Sequence, residues 1–285
     1  MPFPIEPPIE PMLAQIAEHL PPEGDFLFEP KWDGFRAIVF RGSDDIYIQS
    51  RDLKPLDRYF PELREALLRL LPVDCVVDGE IVIVAPYGLD FDALQLRLHP
   101  AQSRVAKLAR QSPASFVAFD VLAVGGKNVM AQAQRDRREM LESLFDAKSS
   151  LYLTPMTSER RIASEWLQQF EGAGLDGVIV KPLESPYRPG KRAMLKVKHV
   201  RAADCVVAGF RWYKDARDAV GSLLLGLYDD HGVLHHVGVT SAFKMAARKE
   251  LARELEPLRK NAINNHPWRD WVREEAHAGV RMPGG

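Results

Sequence analysis

Alternating and unbroken runs of apolar residues predict short strands over the first two thirds of the chain. The run at 35–40 is followed by a Gly-Ser turn and a second run at 46–51, a pattern typical of a β-hairpin. Further runs rich in β-branched residues predict strands over 75–84, 116–122, 176–181 and 194–198. Helical spacing of apolar residues predicts helices over 57–71, 91–111, 135–145 and 158–170, with Asp57 capping the first and a break at His99–Pro100 in the second.

The pattern changes after residue 199, where short strands dominate. Strands are predicted over 205–210, 222–228 and 233–240, with one helix over 244–256, and this favours a small barrel of the oligonucleotide-binding (OB) type. We place the boundary near 200–203, so the predicted domains are 1–201 and 202–285. Residues 1–24 are rich in proline, and an apolar piece around Met12 and Leu20 predicts a leader that packs on the first domain.

The composition is that of a globular protein, since 46% of the 285 residues are hydrophobic and 27% are charged. No apolar run approaches the ~18 residues of a membrane span, and the first residues lack a basic segment followed by an apolar one. We therefore expect a cytoplasmic protein that does not contact a membrane. Cys75 and Cys205 lie in apolar strand-like runs, so buried free thiols are expected rather than a disulfide or a metal site.

Lys31, Asp33, Gly34 and Arg36 form the spacing K-x-D-G-x-R where the first predicted strand begins. Lysine attacks phosphorus only as the neutral amine. Because its ordinary pKa is about 10.4, burial or nearby cations such as Arg36 would have to lower that pKa. The motif therefore fits a lysine nucleophile. The alternative is a pair of surface cations beside an Asp-Gly turn.

Charged residues share a strand face at two further places. Asp78 and Glu80 lie on one face of the strand at 75–84, where two acids are costly unless cations or polar groups meet them. A solvated sheet edge is the alternative. Lys196 and Lys198 also project from one face, which suits the binding of an anion such as phosphate. They belong to a basic stripe over 181–201 that holds seven basic residues and one acidic residue.

Five segments, in their order along the chain, resemble the motifs of the covalent nucleotidyltransferases and, among these, of the ATP-dependent DNA ligases. They are Lys31 to Arg36, Asp78-Gly79-Glu80, Phe119-Asp120, Asp176 to Lys181, and Lys196 with Lys198. The stretches at 171–177 and 221–226, and the absence of an extra N-terminal DNA-binding domain, make the sequence most similar to the small bacterial C-type DNA ligases. The resemblance implies an α+β fold: a nucleotidyltransferase (adenylation) domain of antiparallel sheets with flanking helices, followed by an OB-fold barrel.

The resemblance also implies a reaction and the residues that perform it. Lys31 would attack the α-phosphate of ATP to form a lysyl-adenylate, AMP would pass to the 5′-phosphate of a nick in duplex DNA, and the 3′-hydroxyl would displace it. The implied catalytic residues are Lys31, Asp33, Lys196 and Lys198. The implied ATP-binding residues are Glu29 at the adenine amino group, Phe119 and Ile179 on either side of the base, Glu80 at the ribose, Arg36 and Arg51 at ribose and phosphate, Lys181, Lys196 and Lys198 at the phosphates, and Arg192.

Asp176 is implied to hold Mg²⁺ or Mn²⁺, directly or through water. Many relatives carry glutamate there, so the shorter side chain changes the coordination distance. The implied partner is nicked duplex DNA, with repair polymerases as further candidates, and a monomer is expected. Since no separate DNA-binding domain is expected, the basic positions Arg97, Arg104, Lys107 and Arg110 are expected to help hold DNA.

Family members continue into a final basic motif that contacts the β and γ phosphates of ATP, and the sequence up to Gly285 has no match to it. The resemblance therefore implies an incomplete OB fold. Two alternatives stay open. An RNA ligase or a capping-type guanylyltransferase would share most of the motifs, whereas a non-catalytic nucleic-acid-binding module would explain the barrel but not the joint presence of Lys31, Glu80 and Lys196.

Overall fold

The structure is a computed structural model that describes residues 3–22, 24–86, 88–144, 151–169, 175–198, 203–214, 216–264 and 266–269. The chain divides into two compact units, Met1–Val200 and Arg201–Gly285. Residues 199–202, which include most of the domain boundary predicted at 200–203, lie outside the described ranges, as do the predicted helix ends at 145 and 170 and the final residues 270–285. None of the helices in the described ranges has both the length and the hydropathy needed to span a bilayer.

The described part of the first unit contains twelve strands, five helices and a short 3₁₀ turn at Asp57–Tyr59. The strands are β1 (Leu13–Ala17), β2 (Phe26–Pro30), β3 (Phe35–Arg41), β4 (Ile46–Ser50), β5 (Cys75–Val82), β6 (Val84–Ala85), β7 (Gly88–Leu89), β8 (Ser115–Val124), β9 (Lys127–Asn128), β10 (Leu151–Leu153), β11 (Val178–Pro182) and β12 (Arg192–Val197). The helices are α1 (Pro61–Leu70), α2 (Phe91–Arg97), α3 (Gln102–Gln111), α4 (Gln134–Leu144) and α5 (Arg160–Gln169).

Two mixed sheets organise this unit. The larger has the order β10-β8-β5-β3-β4, with β9 paired to β8, and the smaller has the order β1-β12-β11-β2. Pairing is antiparallel except between β1 and β12 and between β10 and β8, which run parallel. Strands β6 and β7 form a separate ribbon. The architecture is α+β.

The alternation of side chains along the strands fixes the layers. Val39 of β3 packs in a core with Leu63 of α1, on the helix-covered face of the larger sheet. Its neighbour Ile38 points to the opposite face and packs in a second core with Met194 of the smaller sheet. Ala163 of α5 belongs to a third core on the outer face of the smaller sheet. The two sheets therefore face each other, and in the described part of the unit helices such as α1 cover the outer face of the larger sheet and α5 covers that of the smaller one.

The strands predicted in this unit are confirmed, and so is the break between α2 and α3. The predicted cap is wrong, because α1 begins at Pro61 rather than after Asp57. Asp57 instead starts the 3₁₀ turn, and its carboxylate accepts a hydrogen bond of 3.1 Å from the Ile48 N–H. Proline suits the first helical position because its missing N–H would have no helical partner there.

The leader packs on the unit, as predicted, and it also contains a strand that the sequence did not predict. Strand β1 pairs with β12, while Ile9 and Met12 are buried against the larger sheet. Gln49 holds Ile9 through both main-chain groups, since its amide donates to the carbonyl oxygen at 2.6 Å and accepts from the N–H at 2.9 Å. The leader therefore adds a strand to the smaller sheet and contributes side chains to the core between the two sheets.

Arg97 does not lie on an exposed basic face, which corrects its expected role at DNA. Its side chain is fully buried, and Nη2 donates to both carboxylate oxygens of Glu62 at 2.8 and 2.7 Å. The guanidinium group also stacks 4.9 Å from the ring centroid of Phe60. It therefore joins α2 to α1. The other members of the predicted basic set are exposed on α3: Arg104, Lys107 and Arg110.

The described part of the second unit is an antiparallel sheet of three strands and one helix. Its elements are β13 (Val206–Trp212), β14 (Val220–Tyr228), β15 (Leu234–Thr240) and α6 (Met245–Leu255), followed by a 3₁₀ turn at Glu256–Arg259. Val220 and Leu223 of β14 pack with Ala252 of α6. Cys75 is a buried free thiol, as predicted, but Cys205 is only partly buried because it precedes β13.

We predict that Arg97→Ala lowers the free energy of unfolding by about 3 kcal/mol, because it leaves Glu62 without its buried partner. Urea unfolding at neutral pH measures this change. Arg104→Ala is the matched control, since its side chain is exposed on the next helix, and its effect should stay within about 0.5 kcal/mol. Equal stability of the two variants would contradict the structural role of Arg97.

Candidate active site

One cleft opens between the facing sheets of the first unit. Arg36, Glu80 and Phe119 reach it from the larger sheet, and Glu29 and Ile179 reach it from the smaller one. Ten of the residues predicted from the sequence line this cleft: Glu29, Lys31, Arg36, Arg51, Glu80, Phe119, Ile179, Lys181, Arg192 and Lys196. Of the other three, Asp176 contacts both Lys31 and Lys198, whereas Asp33 is exposed on the turn before β3.

Lys31 follows directly on β2 and is fixed by its main chain. Its N–H donates to the Gly177 carbonyl oxygen at 2.8 Å, and its own carbonyl accepts from the Asp176 N–H at 2.9 Å. Gly177 has a φ of +131°, and a side chain there would collide with the Val197 carbonyl oxygen. Only glycine suits this turn. The close approach of the two main chains brings the Asp176 side chain beside that of Lys31.

One oxygen of Asp176 binds two ammonium groups. Asp176 Oδ2 lies 2.8 Å from Lys31 Nζ and 2.6 Å from Lys198 Nζ. Burial opposes the charge on this carboxylate, but the hydrogen bonds from Lys198 and Lys31 outweigh it and hold the pKa of Asp176 below its ordinary value. Asp176 therefore stays ionised and fixes the direction of the Lys31 side chain.

Asp176 is also the carboxylate that a divalent cation would meet at this end of the cleft. The described residues contain no group of three or more His, Cys, Asp or Glu side chains placed to hold a metal ion. Magnesium is commonly bound through one or two carboxylates, with substrate phosphates and water supplying the remaining oxygens. The donor present here fits a cation whose other ligands come from a phosphate-bearing substrate and from water.

Cations gather around Lys196 at the same end. The pKa of Lys196 is lowered, first by burial and then by the charges of Lys198, Lys31, Arg51 and Arg192. These groups repel one another, so binding an anion among them is favourable. The arrangement supports the predicted phosphate site.

A buried carboxylate holds Arg36 in the cleft. Its Nε and Nη2 donate to the two oxygens of Asp78 at 2.9 and 2.6 Å. Asp78 also accepts a hydrogen bond of 2.7 Å from the Tyr187 hydroxyl group. That hydroxyl group in turn accepts a hydrogen bond of 3.0 Å from the Met12 N–H. The solvated-edge alternative for Asp78 is wrong, because the side chain is fully buried on a central strand. Tyr187 lies between β11 and β12 and has no sequence signal that marks it.

Glu80 lies opposite Arg36 in the pairing of β5 with β3. Burial raises the pKa of Glu80 to about 8, although the charges of Arg36 and Lys31 act to lower it. A carboxyl group with such a pKa is protonated near neutral pH and can both donate and accept hydrogen bonds. A group that can both donate and accept hydrogen bonds is suited to binding the hydroxyl groups of a sugar.

Lys181 does not join Lys196 and Lys198, which corrects its expected place at the phosphates. Its ammonium group is buried, 2.7 Å from Glu29 Oε2 and 2.8 Å from the Phe119 carbonyl oxygen. Strand alternation predicts that Lys181 faces the cleft, but it does not predict which groups lie across from it. The cleft therefore has a second end, away from the cations around Lys196, where Glu29 and Lys181 form a buried ion pair instead of a cationic patch.

Phe119 and Ile179 form the walls of a slot at this second end. They come from opposite sheets, and Ile179 is directly opposite Glu29 in the pairing of β11 with β2. The Phe119 ring centroid lies 5.0 Å from Arg36 Cζ and 5.0 Å from Lys181 Nζ. An apolar slot with a carboxylate at its edge fits a flat heterocyclic base that donates a hydrogen bond.

Sequence reasoning missed several lining residues. Leu13 and Ala14 line the cleft because β1 pairs with β12, and the prolines around the leader hide that strand. Trp32 also lines it, and its Nε1 donates to Thr154 Oγ1 at 2.9 Å. Met194 of β12 is a further lining residue. A tryptophan inside K-x-D-G-x-R was a signal that could have been used.

Comparison with known proteins gives a consistent set of relatives. Residues 11–198 match the family model of the ATP dependent DNA ligase domain. DNA ligase C2 of Mycolicibacterium smegmatis is 53% identical over 277 residues, which cover 97% of this chain and 77% of that protein. DNA ligase C of Mycobacterium tuberculosis is 50% identical over 289 residues, covering 99% of this chain and 79% of that protein.

The fold is similar to that of a solved ligase structure. A mycobacterial DNA ligase D complexed with ATP and MES aligns with a TM-score of 0.53 at 26% identity, covering 87% of this chain and 78% of that one. The fold is thus of the nucleotidyltransferase type found in ligases, as predicted.

We predict that Glu80 makes stability fall with rising pH. Between its ordinary pKa of 4.5 and the folded value of about 8, the folded protein binds more protons than the unfolded chain, so the free energy of unfolding decreases as pH rises. Glu80→Gln removes this titration. Its stability relative to the wild type should therefore increase between pH 5 and 9, by on the order of 2–4 kcal/mol. Urea unfolding across that range measures the difference, and a pH-independent difference would contradict the raised pKa.

Proposed function

The chain belongs to the ATP-dependent DNA ligases, and we propose that Lys31 carries AMP from ATP to the 5′-phosphate of a nick in duplex DNA. The observation that carries this proposal is the position of Lys31. Lys31 lines the same cleft as Phe119 and Ile179 of the slot and Lys196 of the cationic end, and Asp176 binds its amine. Of the other lysines that line the described cleft, Lys181 is bound to Glu29 and Lys196 lies among cations.

The slot at the Glu29 end would hold adenine. Phe119 and Ile179 would stack on the two faces of the base, and Glu29 would accept a hydrogen bond from the adenine amino group. Glu80 and Arg36 would lie at the ribose, since they are opposite each other in the pairing of β3 with β5 and both line the cleft. The triphosphate would then extend toward the cations.

The cationic end would bind the phosphates. Lys196, Lys198, Arg51 and Arg192 would neutralise charge on the α-phosphate and on the leaving pyrophosphate, and preorganised charges of this kind are the main source of catalysis in such transfers. Bound Mg²⁺ or Mn²⁺ would supply further charge neutralisation, and Asp176 is the residue that would hold it.

The chemistry proceeds in three transfers. The neutral Lys31 amine forms a P–N bond with the α-phosphorus, the bond from that phosphorus to pyrophosphate breaks, and the proton of the amine passes to solvent. An oxygen of the 5′-phosphate then displaces lysine, so that AMP is joined to the DNA through a pyrophosphate bond. Finally the 3′-hydroxyl attacks the 5′-phosphate, AMP leaves, and the proton of the hydroxyl is lost. Asp33, on its exposed turn, would act at the nick.

The second unit would contribute to DNA binding as part of an OB fold. Strands β13 to β15 and helix α6 fit that assignment, although three strands among the described residues are fewer than a closed OB barrel has. In the first unit, the exposed basic residues of α3 would add phosphate contacts. We propose DNA rather than RNA as the nicked strand, since the named relatives are DNA ligases.

We predict that Lys31→Ala abolishes covalent labelling by α-labelled ATP, because no other amine occupies the attack position. The variant should still seal a nick that already carries AMP, since that step does not need the lysine amine. Gel analysis of protein and DNA with the two substrates measures both effects. Undiminished labelling of the variant would contradict the proposal. Wild-type protein that seals a nicked RNA and not a nicked DNA would favour an RNA ligase instead.

We further predict that replacing Arg104, Lys107 and Arg110 of α3 together by alanine weakens binding to nicked DNA and flattens its salt dependence. Each lost phosphate contact should reduce the slope of log affinity against log salt by roughly one unit. Lysyl-adenylate formation should not change, because the cleft is untouched. Fluorescence anisotropy at several salt concentrations measures the slope. The control is Arg160→Ala with Arg161→Ala, exposed on α5, and an equal slope change there would exclude a specific role for α3.

A further inference from the structure

Lys181 connects the two walls of the cleft. Its side chain is 3% exposed, and its ammonium group bonds Glu29 Oε2 at 2.7 Å and the Phe119 carbonyl oxygen at 2.8 Å. Glu29 belongs to β2 of the smaller sheet, whereas Phe119 belongs to β8 of the larger one. One buried cation therefore holds together the edge and one face of the slot described above.

A bulge explains why the Phe119 carbonyl group is available to Lys181. In the pairing of β5 with β8, Asp78 lies opposite Asp120 and the next residue, Gly79, lies opposite Ala118. Phe119 is thus the extra residue at a register shift, and such residues leave the regular ladder of hydrogen bonds. Lys181 supplies the partner for its carbonyl oxygen, which fixes the main chain from which the Phe119 ring projects.

The other oxygen of Glu29 is left as an acceptor. Glu29 Oε1 is buried and has no hydrogen-bond partner among the described residues. The nearest cation is Arg138 Nη1, 3.6 Å away, which is also buried and also has no hydrogen-bond partner among those residues. Arg138 is anchored elsewhere, to Glu142 at 2.7 Å and to the Thr154 carbonyl oxygen at 2.9 Å. Since Glu29 also lines the cleft, Oε1 is a buried acceptor that a bound base can satisfy.

We propose that Lys181 is a positioning residue that sets base preference: it keeps Glu29 as an ionised, acceptor-only carboxylate and fixes Phe119 against the base. The inference rests on the proposed function, in which this slot holds the base of the nucleotide. The amino group of adenine donates to an ionised carboxylate. Guanine carries a carbonyl oxygen at the same ring position, and two acceptors facing each other in a buried site oppose binding.

The balance of charges around Glu29 makes Lys181 the residue that decides its protonation. Burial holds the pKa of Glu29 above its ordinary value, and the charge and hydrogen bond of Lys181 are the strongest influences that limit this rise, ahead of Arg138. Without Lys181, this carboxyl group takes up a proton and becomes a donor as well as an acceptor. A protonated Glu29 can donate to the carbonyl oxygen of guanine, so the preference for adenine should weaken.

The test measures covalent nucleotide transfer to wild-type protein and variants, with ATP and with GTP in separate reactions. Lys181→Met keeps the length of the side chain and removes its charge, and it should reduce the ratio of ATP to GTP efficiency by about tenfold or more. Lys127→Met, an exposed lysine of β9, is the matched control and should leave the ratio unchanged. A role in folding alone would lower both efficiencies together and keep their ratio.

A double-mutant cycle separates the proposed route from other effects of Lys181. Glu29→Gln should also lower the ratio, because an amide both donates and accepts, and adding Lys181→Met to it should lower the ratio little further. Lys181→Gln retains a hydrogen-bond donor for the Phe119 carbonyl oxygen but lacks the charge, so it should lose the preference for ATP over GTP as Lys181→Met does.

Unchanged ratios of ATP to GTP efficiency in both Lys181 variants, or additive effects in the cycle, would overturn the inference. Wild-type protein that accepts neither nucleotide would overturn the proposed function itself.

Discussion

Charged side chains can occupy the narrow space between two packed sheets only where each charge meets a partner, because isolated burial of a charge is prohibitive. The cleft of this ligase has two such buried pairs and a third, more exposed set of paired charges. Lys181 binds Glu29, Asp78 binds Arg36, and Asp176 lies between Lys31 and Lys198. Each set joins segments that are distant in the sequence. The ion pairs therefore fix the side chains that the chemistry needs and determine which strands must lie next to one another.

The same constraint makes the two ends of the cleft different. At one end Glu29 and Lys181 are buried and mutually neutralised, and the slot between Phe119 and Ile179 is left for an uncharged base. At the other end Lys196 and its neighbouring cations carry an excess of positive charge that only an anion can offset. A nucleotide combines a flat base with a chain of phosphates, so we propose that its orientation in the cleft follows from the protein's charges, with Lys31 at the α-phosphate.

Most strands of the first unit, and the composition of its site, could be predicted from the sequence, because β-branched runs mark buried strands and period-two alternation places Asp78 and Glu80 on one face. What alternation cannot supply is the identity of the group across the cleft. For this reason Lys181 was assigned to the phosphates although it binds Glu29, and Tyr187 was not recognised. Helical spacing likewise did not show that Arg97 points into the core. Strand β1 was missed because its pairing with β12 joins residues that are about 180 positions apart in the sequence.

The most direct test of the account is a crystal structure of the wild-type protein with a non-hydrolysable ATP analogue. The account predicts a base between Phe119 and Ile179, its amino group within hydrogen-bonding distance of Glu29 Oε1, and an α-phosphorus in line with the Lys31 amine. The β and γ phosphates should lie among Lys196, Lys198 and Arg51. A triphosphate bound at the Glu29 end, or a base bound away from the Phe119 ring, would contradict it.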